Sequence, residues 1–507
     1  MGDPDYRYPH QTSYDFFMWL QSSWRHRLLP RFITKWANRK LNDLIPYREY
    51  VRYFECSQFR FDANIEIPDG EHVHYPGLWA VEIIPTSYSN RLSKAITKNK
   101  WSSFSSYLMG DDDGAKKLHD ARSDGHLHRW RLGRECRKGL AFTGFDFTSV
   151  NLPDCFDSVA YWATQAGSSI TVVTAYFSLS AKDRDSLDYI WHAPHDPLLV
   201  EEPGKRARAY RRMESDKLHT RSERARIHLQ ARIWLNERCP GFFANRGRCN
   251  PIVDCFLFDQ LDVAETGIPS EMRDACDALG VSGPMYYESD AYFPGWLVPF
   301  DGNVKGDPLD NCLAFVGNVT RIREVREERL RMYGDDSSQS IAHCYSEAIE
   351  GYLILSSISK YLTCMLERYS EKRDVAQKAF SKHRPLQVDK LRKSLVSDSL
   401  DLRCAKRDYG VVWENRILQA WMGLPNLASR WMNWADGEGR VYSENAFDDM
   451  QSFQQKAFEK LLQEDDDYQS LLSTASSLGN GNAVLRVSLV ALLVALVSMV
   501  TTILSKG

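Results

Sequence analysis

The sequence predicts an α/β N-terminal domain, then a long-helix, stalk-like α domain, and last a single C-terminal transmembrane helix. Three observations lead to this fold class. β-rich runs alternate with loops over residues 51–330, apolar residues recur at helical spacing over residues 338–478, and residues 487–504 are apolar and uncharged. Residues 1–50 precede these regions as a separate aromatic and basic segment.

Size and composition exclude several classes of protein. The chain has 507 residues, of which 43% are hydrophobic, so it contains enough apolar material for a sizeable core and is not generally disordered. Its formal net charge of −3 gives no global reason to expect nucleic acid as a partner. The eleven cysteines are scattered and include no CxxC pair, a pattern that predicts reduced thiols in a reducing compartment.

The N-terminal segment interleaves aromatic and basic side chains over residues 13–45. No acidic residue lies between Trp24 and Lys40, and Pro30 excludes one uninterrupted helix. One interpretation is an interfacial helix lying on anionic lipid, with its rings at the level of the headgroups. The other, which the sequence favours, is an amphipathic helix packed on its own domain with its basic residues in water.

The mixed α/β region carries one strongly basic stretch. Its predicted strands cover residues 51–59, 78–84, 139–147, 170–179 and 253–258. Residues 205–232 contain ten Lys or Arg against three acids, a local net charge of +7. A basic patch for anionic lipid or nucleic acid would centre on Arg206, Arg208, Arg211 and Arg212. A solvated helix face is the commoner interpretation of such a stretch.

The predicted helical domain ends in an acidic run. Three helical stretches cover residues 341–369, 386–405 and 443–477. The third contains Glu464, Asp465, Asp466 and Asp467, about 20 residues before the apolar run. In an oligomer these carboxylates would form a ring that attracts cations, whereas in a monomer they would be a solvated helix face.

The apolar run at the C-terminus predicts a membrane anchor. Residues 487–504 would form a helix of about 27 Å, which matches the hydrocarbon thickness of a bilayer. The first residues lack a signal-peptide pattern, so the expectation is a single-pass, tail-anchored protein whose bulk faces the cytosol. Its hydroxyl residues fall within about 140° of a helical wheel, where they could line a pore or pack against other helices. They are Ser488, Ser498, Thr501 and Thr502.

No catalytic site emerges from the motif search. The patterns GxxxxGK[ST], GxGxxG, HExxH and GxSxG are all absent, so no catalytic residue is assigned and enzymatic activity stays open. No cofactor is identified. A divalent cation could be held by His119, His126 and His128 together with the acids of residues 111–113, although a polar loop explains them equally well. The pair His192 and His195 has the same two interpretations.

The order of these parts resembles the CorA-type metal-ion channel family. The resemblance covers the α/β portion over residues 51–258, the helices from Ser338 onward, and the helix over residues 445–472 that leads to residues 487–504. Family members have two membrane helices and a Gly-Met-Asn tripeptide, whereas this chain has one predicted span and no such tripeptide. The resemblance implies a homo-oligomeric, ion-conducting or membrane-perturbing assembly. The alternative is a membrane-tethered binding or regulatory protein without transport activity. Both interpretations make the lipid bilayer a partner.

Overall fold

The computed structural model describes residues 10–473 with internal gaps. Outside the description lie residues 1–9, 23–28, 58–66, 102–113, 141–146, 263–269, 282–284, 289–294, 300–308, 310–311, 334–336, 382–384, 414–417, 419–421, 434–439 and 474–507, with a few single positions.

Helices and strands alternate through most of the described chain. The helices are α1 (Gln11–Leu20), α2 (Arg31–Ser57), α3 (Ser89–Lys98), α4 (Gly114–Asp124), α5 (Ala181–His192), α6 (Arg212–Arg238), α7 (Phe242–Arg246), α8 (Ser270–Ala278), α9 (Val319–Tyr333), α10 (Ser338–Ser381), α11 (Pro385–Trp413) and α12 over residues 446–470. The strands are β1 (Val73–His74), β2 (Gly77–Ile84), β3 (His128–Arg137), β4 (Thr148–Val150), β5 (Phe156–Ala166), β6 (Ile170–Leu179), β7 (Leu198–Val200), β8 (Arg208–Tyr210), β9 (Ile252–Phe258), β10 (Met285–Glu288), β11 (Gly295–Pro299), β12 (Cys312–Asn318), β13 (Ala428–Asn433) and β14 (Arg440–Asn445).

One large mixed sheet organises the described chain. Its strand order is β14-β13-β10-β11-β12-β9-β2-β6-β5-β3-β4, with β1 pairing beside β9, while β7 and β8 form a separate two-stranded ribbon. Most neighbouring strands are antiparallel, but β9 with β12 and β3 with β4 are parallel. The central strands β2 and β9 are buried along their whole length, which is why they read as continuous apolar runs in the sequence.

Helices cover both faces of the sheet. Alternate side chains of β2 point to opposite faces, so Trp79 and Val81 join one core while Leu78 and Ala80 join the other. The first core contains apolar side chains of α10, α11 and α12. The second contains those of α3, α4, α5, α6 and α8. The described chain is therefore a sheet between two helical layers.

The predicted separation into an α/β domain and a stalk-like helical domain is wrong. α10 lies on the sheet: Trp79 of β2 donates a hydrogen bond from Nε1 to the Ser346 hydroxyl at 3.0 Å, and Thr174 of β6 donates one to Glu350 at 3.2 Å. The chain also returns to the sheet after α11, as β13 pairs with β10. A stalk helix would expose one side to solvent, but the residues of α10 between 340 and 362 are all buried or half-buried. The helical spacing of apolar residues from Ser338 onward therefore belongs to a helix that packs on the sheet.

The predicted C-terminal transmembrane helix is not part of the fold that the structure supports. In the portion of the chain that the structure describes, no helix is both long and apolar enough to cross a membrane. Residues 487–504, on which that prediction depended, lie outside the described residues. The structure therefore does not support the prediction of a single-pass protein with a C-terminal anchor. The fold that it shows is mixed α/β with a large mixed sheet.

Individual elements were predicted with mixed success. The strands predicted over residues 78–84, 170–179 and 253–258 are confirmed as β2, β6 and β9. Residues 51–59 were predicted as a strand, but residues 51–57 form the end of α2. α2 begins directly after Pro30, as the helix break at that residue predicts. Most of the strand predicted over residues 139–147 lies outside the described residues.

A buried carboxylate joins β2 to the short helix α7. Glu82 is fully buried and accepts hydrogen bonds from the backbone N–H groups of Phe243 at 2.8 Å and Ala244 at 2.9 Å. It also accepts one from the Asn250 side-chain amide at 3.0 Å. Burial raises the pKa of Glu82 to about 7, although these hydrogen bonds oppose the rise.

Glu82 is expected to make stability fall as the pH rises. An unfolded chain loses this proton near the ordinary value of 4.5, whereas the native protein keeps it until about pH 7. The free energy of unfolding should therefore decrease between these pH values, by about 3 kcal/mol from this group. Urea unfolding of the wild type and of Glu82→Gln, which cannot titrate, should show a flatter pH dependence in the variant. Equal slopes between pH 5 and 7 would contradict this assignment.

Candidate functional site

α1 and α2 form a helical hairpin with aromatic contacts between the two helices. The Phe17 and Trp36 rings meet edge to face with centroids 5.3 Å apart, and the rings of His10 and Tyr47 do so at 4.9 Å. Near the open end of the hairpin, the Arg48 guanidinium lies 4.9 Å from the centroid of the Tyr14 ring. These contacts fix which side chains of the hairpin turn outward.

Large aromatic side chains lie on the outer surface of this hairpin. Phe32 is 73% exposed, Trp19 is 52% exposed, and Phe16 and Trp36 are each 50% exposed. On α1, Phe16 stacks on Trp19 with centroids 6.2 Å apart, and on α2, Phe32 and Trp36 are one helical turn apart. Exposed aromatic clusters of this kind are unusual on a soluble surface and mark interaction sites. We call these four residues the aromatic face.

The exposed half of α2 around Phe32 and Trp36 is otherwise basic. At 100° per residue, Arg31, Lys35, Arg39 and Lys40 fall with the two rings inside an arc of about 180°. All four cations are exposed, and residues 31–40 contain no acid. The opposite side of the helix is apolar, because Ala37 and Leu41 are buried. We call these four cations the α2 cations.

The basic patch predicted from the sequence adjoins α2. Arg206 donates from Nε to Asp43 of α2 at 3.2 Å, and the Arg211 guanidinium lies 5.2 Å from the centroid of the Tyr53 ring. Arg206, Arg208 and Arg211 are exposed and Arg212 is half-buried. The structure thus brings together two basic regions that the sequence analysis treated separately. Asp43 is one turn from Arg39 and Lys40, so Arg206 lies close to the α2 cations, while its own charge is paired with Asp43.

Part of the basic stretch over residues 205–232 turns inward. Arg224 and Arg232 are buried in the face of α6 that lies on the sheet. Arg226 is exposed but pairs with Asp183 at 2.6 Å and Glu223 at 2.8 Å. The local net charge therefore overstates the positive surface, and the residues before α6 carry most of it.

The predicted acidic run is divided between core and solvent. Asp465 is fully buried and accepts hydrogen bonds from the Tyr369 hydroxyl at 2.9 Å and the Ser399 hydroxyl at 2.7 Å. Arg403 pairs with both Asp465 and Asp466. Asp465 thus joins α12 to α10 and α11 and does not face solvent. Glu464 is half-buried, Asp466 and Asp467 are exposed, and cation attraction by these residues stays a prediction.

The histidines predicted as candidate metal ligands contact other side chains and backbone groups in the described part of the chain. His128 lies 3.6 Å from Asp124, His195 stacks on His219, and residues 111–113 lie outside the described residues. His192 bonds the carbonyl oxygen of Asp188 through Nδ1 at 2.8 Å. Among the described residues, no group of three or more His, Cys, Asp or Glu is arranged to hold a metal ion. The pore or packing candidates Ser488, Ser498, Thr501 and Thr502 also lie outside the described residues.

Comparison with known proteins leaves the family open. No protein-family model matches the chain, and no curated protein or solved structure shows significant similarity. The resemblance to the CorA family is neither supported nor opposed by this result and stays a prediction. The function must therefore be argued from the surface of the chain itself.

Proposed function

We propose that this protein binds anionic phospholipid surfaces through the α1–α2 hairpin and acts there as a binding or regulatory protein. One observation carries the proposal: the exposed half of α2 over residues 31–40 presents aromatic rings and cations and no acid. This is the composition of a helix that lies in the interface plane of a membrane. The tether is then on the folded surface, and it does not depend on a membrane-spanning helix.

The two components of this surface have distinct roles. Aromatic rings prefer the interface between headgroups and acyl chains, because their flat apolar bodies leave water while their polar edges stay near it. Each cation close to an anionic leaflet contributes about 1 kcal/mol, so the four α2 cations could contribute about 4 kcal/mol at low salt. Such a contribution corresponds to roughly a 1000-fold preference for anionic over neutral lipid, and salt should screen it.

Lipid explains this surface better than nucleic acid does. A single-strand binding surface would also combine cations with rings, but it would form a groove that tracks a phosphate backbone. Here Phe32 and Trp36 lie one turn apart on the exposed, convex surface of a helix, and a planar partner can contact both rings together. Competition with single-stranded RNA during vesicle binding provides the direct comparison, and we expect no loss of vesicle binding.

Vesicle sedimentation of the full-length chain tests the proposal. We expect strong binding to phosphatidylcholine vesicles containing 30% phosphatidylserine at low salt, and much weaker binding to pure phosphatidylcholine. Binding should decrease at 0.5 M salt, where the Debye length is only about 4 Å. Residues 487–504 are present in every sample, and their uncharged sequence gives no reason for a preference between the two lipids.

Charge reversal on α2 is expected to remove the preference for anionic lipid. Lys35→Glu with Arg39→Glu replaces two exposed cations one turn apart and should weaken binding by roughly 100-fold or more. Lys94→Glu with Lys98→Glu on α3 is the matched control, because these residues are exposed at the same spacing away from the hairpin. Equal binding to neutral and anionic vesicles, or equal losses in both double variants, would contradict the proposed function.

A further inference from the structure

A thiol, an imidazole and a carboxylate lie in hydrogen-bond contact between α6 and the sheet. Asp254 is in the middle of β9, Cys312 begins the neighbouring parallel strand β12, and His228 projects from α6 between them. His228 Nε2 lies 2.8 Å from Asp254 Oδ1, and His228 Nδ1 lies 3.3 Å from Cys312 Sγ. This order of contacts, from nucleophile to base to orienting carboxylate, is the arrangement that activates nucleophiles in many enzymes.

Further contacts fix the carboxylate at the end of this arrangement. Arg224 forms an ion pair with Asp254, and the Tyr75 hydroxyl donates a hydrogen bond to the same side chain. Arg224 also donates to the Leu279 carbonyl at 2.9 Å, which anchors it to the loop after α8. Although burial opposes ionisation, His228 and Arg224 hold the pKa of Asp254 well below its usual range. Asp254 is therefore a carboxylate that can orient His228.

Opposing effects set the protonation of the imidazole. Burial lowers the pKa of His228, but the Asp254 carboxylate and the Cys312 sulfur raise it by more, so the net direction is upward. The protonated ring can donate to Asp254 through Nε2 and to the sulfur through Nδ1. The arrangement therefore stabilises an imidazolium that faces a thiol.

The sulfur of Cys312 has a cationic neighbour on its other side. Arg232 Nη2 lies 3.4 Å from Cys312 Sγ, while its Nε donates to the Asn250 carbonyl at 3.1 Å. A thiolate at this position would receive hydrogen bonds from both the guanidinium and the imidazolium, and cysteines with cationic neighbours are the reactive ones.

Other buried thiols in the chain have a different environment. Burial and the neighbouring Asp277 raise the pKa of Cys276 to about 12. Burial also raises the pKa of Cys155 to about 12, with Asp183 contributing. Both side chains are buried, as Cys312 is, so they provide reference thiols within the same molecule.

We propose that Cys312 is a reactive thiol whose co-reactant is a small uncharged hydroperoxide, with His228 as the proton carrier and Asp254 as its positioning residue. Cys312 is only 4% exposed, while His228 and Asp254 are fully buried, which restricts the reaction to very small molecules. Hydrogen peroxide, with two heavy atoms, belongs to this class. The inference is independent of lipid binding.

The reaction balances within this set of groups. The Cys312 thiolate attacks one oxygen of hydrogen peroxide, so an S–O bond forms as the O–O bond breaks. The leaving hydroxide takes the proton from the His228 imidazolium and becomes water. Sulfur is oxidised by two electrons to a sulfenic acid, and the peroxide is reduced. Asp254 keeps Nδ1 of the ring directed at the reacting atoms through its contact with Nε2.

The test compares thiols within the native, full-length chain. The protein is treated with hydrogen peroxide, the peroxide is removed with catalase, and sulfenic acids are trapped with dimedone in denaturant and located by mass spectrometry. We expect Cys312 to be oxidised at least tenfold faster than Cys276 or Cys155. A Cys312 rate no greater than that of Cys276 would overturn the proposal and leave the arrangement as a structural network.

Variants separate positioning from simple loosening of the core. His228→Asn and Asp254→Asn should lower the rate for Cys312 relative to Cys276, since each removes the imidazolium or its orientation. If the contacts were merely structural, loosening the core would increase the oxidation of both thiols. A folded variant in which the oxidation rate of Cys312 relative to that of Cys276 stays unchanged or rises would therefore overturn the assignment. If neither variant folds, Cys312→Ser decides the question, because it should remove the fast phase of thiol loss that the wild type shows.

Discussion

Replacing Phe32 and Trp36 with serine is expected to weaken binding to anionic vesicles by at least about 100-fold. The two rings are 73% and 50% exposed and lie one turn apart, so both can enter the interface together. Each would transfer roughly 100 Å² of ring surface from water, worth about 1.5–2.5 kcal/mol per ring. Vesicle sedimentation over a range of lipid concentrations measures the loss.

A matched pair elsewhere controls for the loss of exposed apolar surface. Val396 and Leu400 of α11 are 54% and 56% exposed and have the same spacing of four residues. Val396→Ser with Leu400→Ser should leave vesicle binding unchanged, and both double variants should keep the unfolding midpoint of the wild type. Equal weakening by both pairs would mean that binding is non-specific and that the aromatic face has no special role.

Asp254→Ala is expected to reduce the free energy of unfolding by about 3–5 kcal/mol. The substitution leaves Arg224 and His228 fully buried without the carboxylate that neutralises them. His228 can lose its proton and relieve part of this cost, but the buried Arg224 guanidinium is left without the carboxylate that it pairs with. Urea unfolding followed by circular dichroism measures the difference.

An exposed ion pair provides the control for this large effect. Glu327 pairs with Arg331 one turn along α9, and the side chains are 65% and 74% exposed. Glu327→Ala should change the free energy of unfolding by less than about 0.5 kcal/mol, because water and salt screen such pairs. A loss below about 1 kcal/mol in Asp254→Ala would show that the buried ion pair contributes little to the fold.

The central strands could be predicted from the sequence because a strand that is buried on both faces has a continuous run of apolar residues. β2, β6 and β9 appear as apolar runs of the length of a strand. The β-forming residues around Val51 predicted a strand, but they lie in α2, which continues through Pro46 and packs against β7 and β8. Local propensity is a weak guide where tertiary contacts decide the conformation.

Long-range pairing explains the larger error about the helical region. β13 pairs with β10, which lies more than 140 positions earlier, and no local pattern in residues 428–445 reveals that partner. α10 has the periodicity of a stalk helix, but the same periodicity serves a helix that lies on a sheet. Without knowing the partner, the sequence cannot distinguish these two environments.

The sequence showed individual residues of the candidate sites but not how they are arranged in space. The aromatic and basic residues before Lys40 were recognised, but their exposure follows from how α1 packs on α2. The contact of Arg206 with Asp43 joins residues 163 positions apart. The arrangement of His228, Asp254 and Cys312 comes from three separate elements, so a search for short motifs had no spacing to detect.

Photo-cross-linking to lipid tests the central claim most directly. The full-length protein is bound to anionic vesicles that carry a lipid with a photoreactive headgroup, irradiated, digested and mapped by mass spectrometry. We expect cross-links in peptides that contain residues 11–20 and 31–40, and far fewer in peptides of α3 or α11, which lie outside the proposed contact. Vesicle-bound protein whose cross-links omit residues 11–20 and 31–40 would contradict a lipid-binding role for the α1–α2 hairpin.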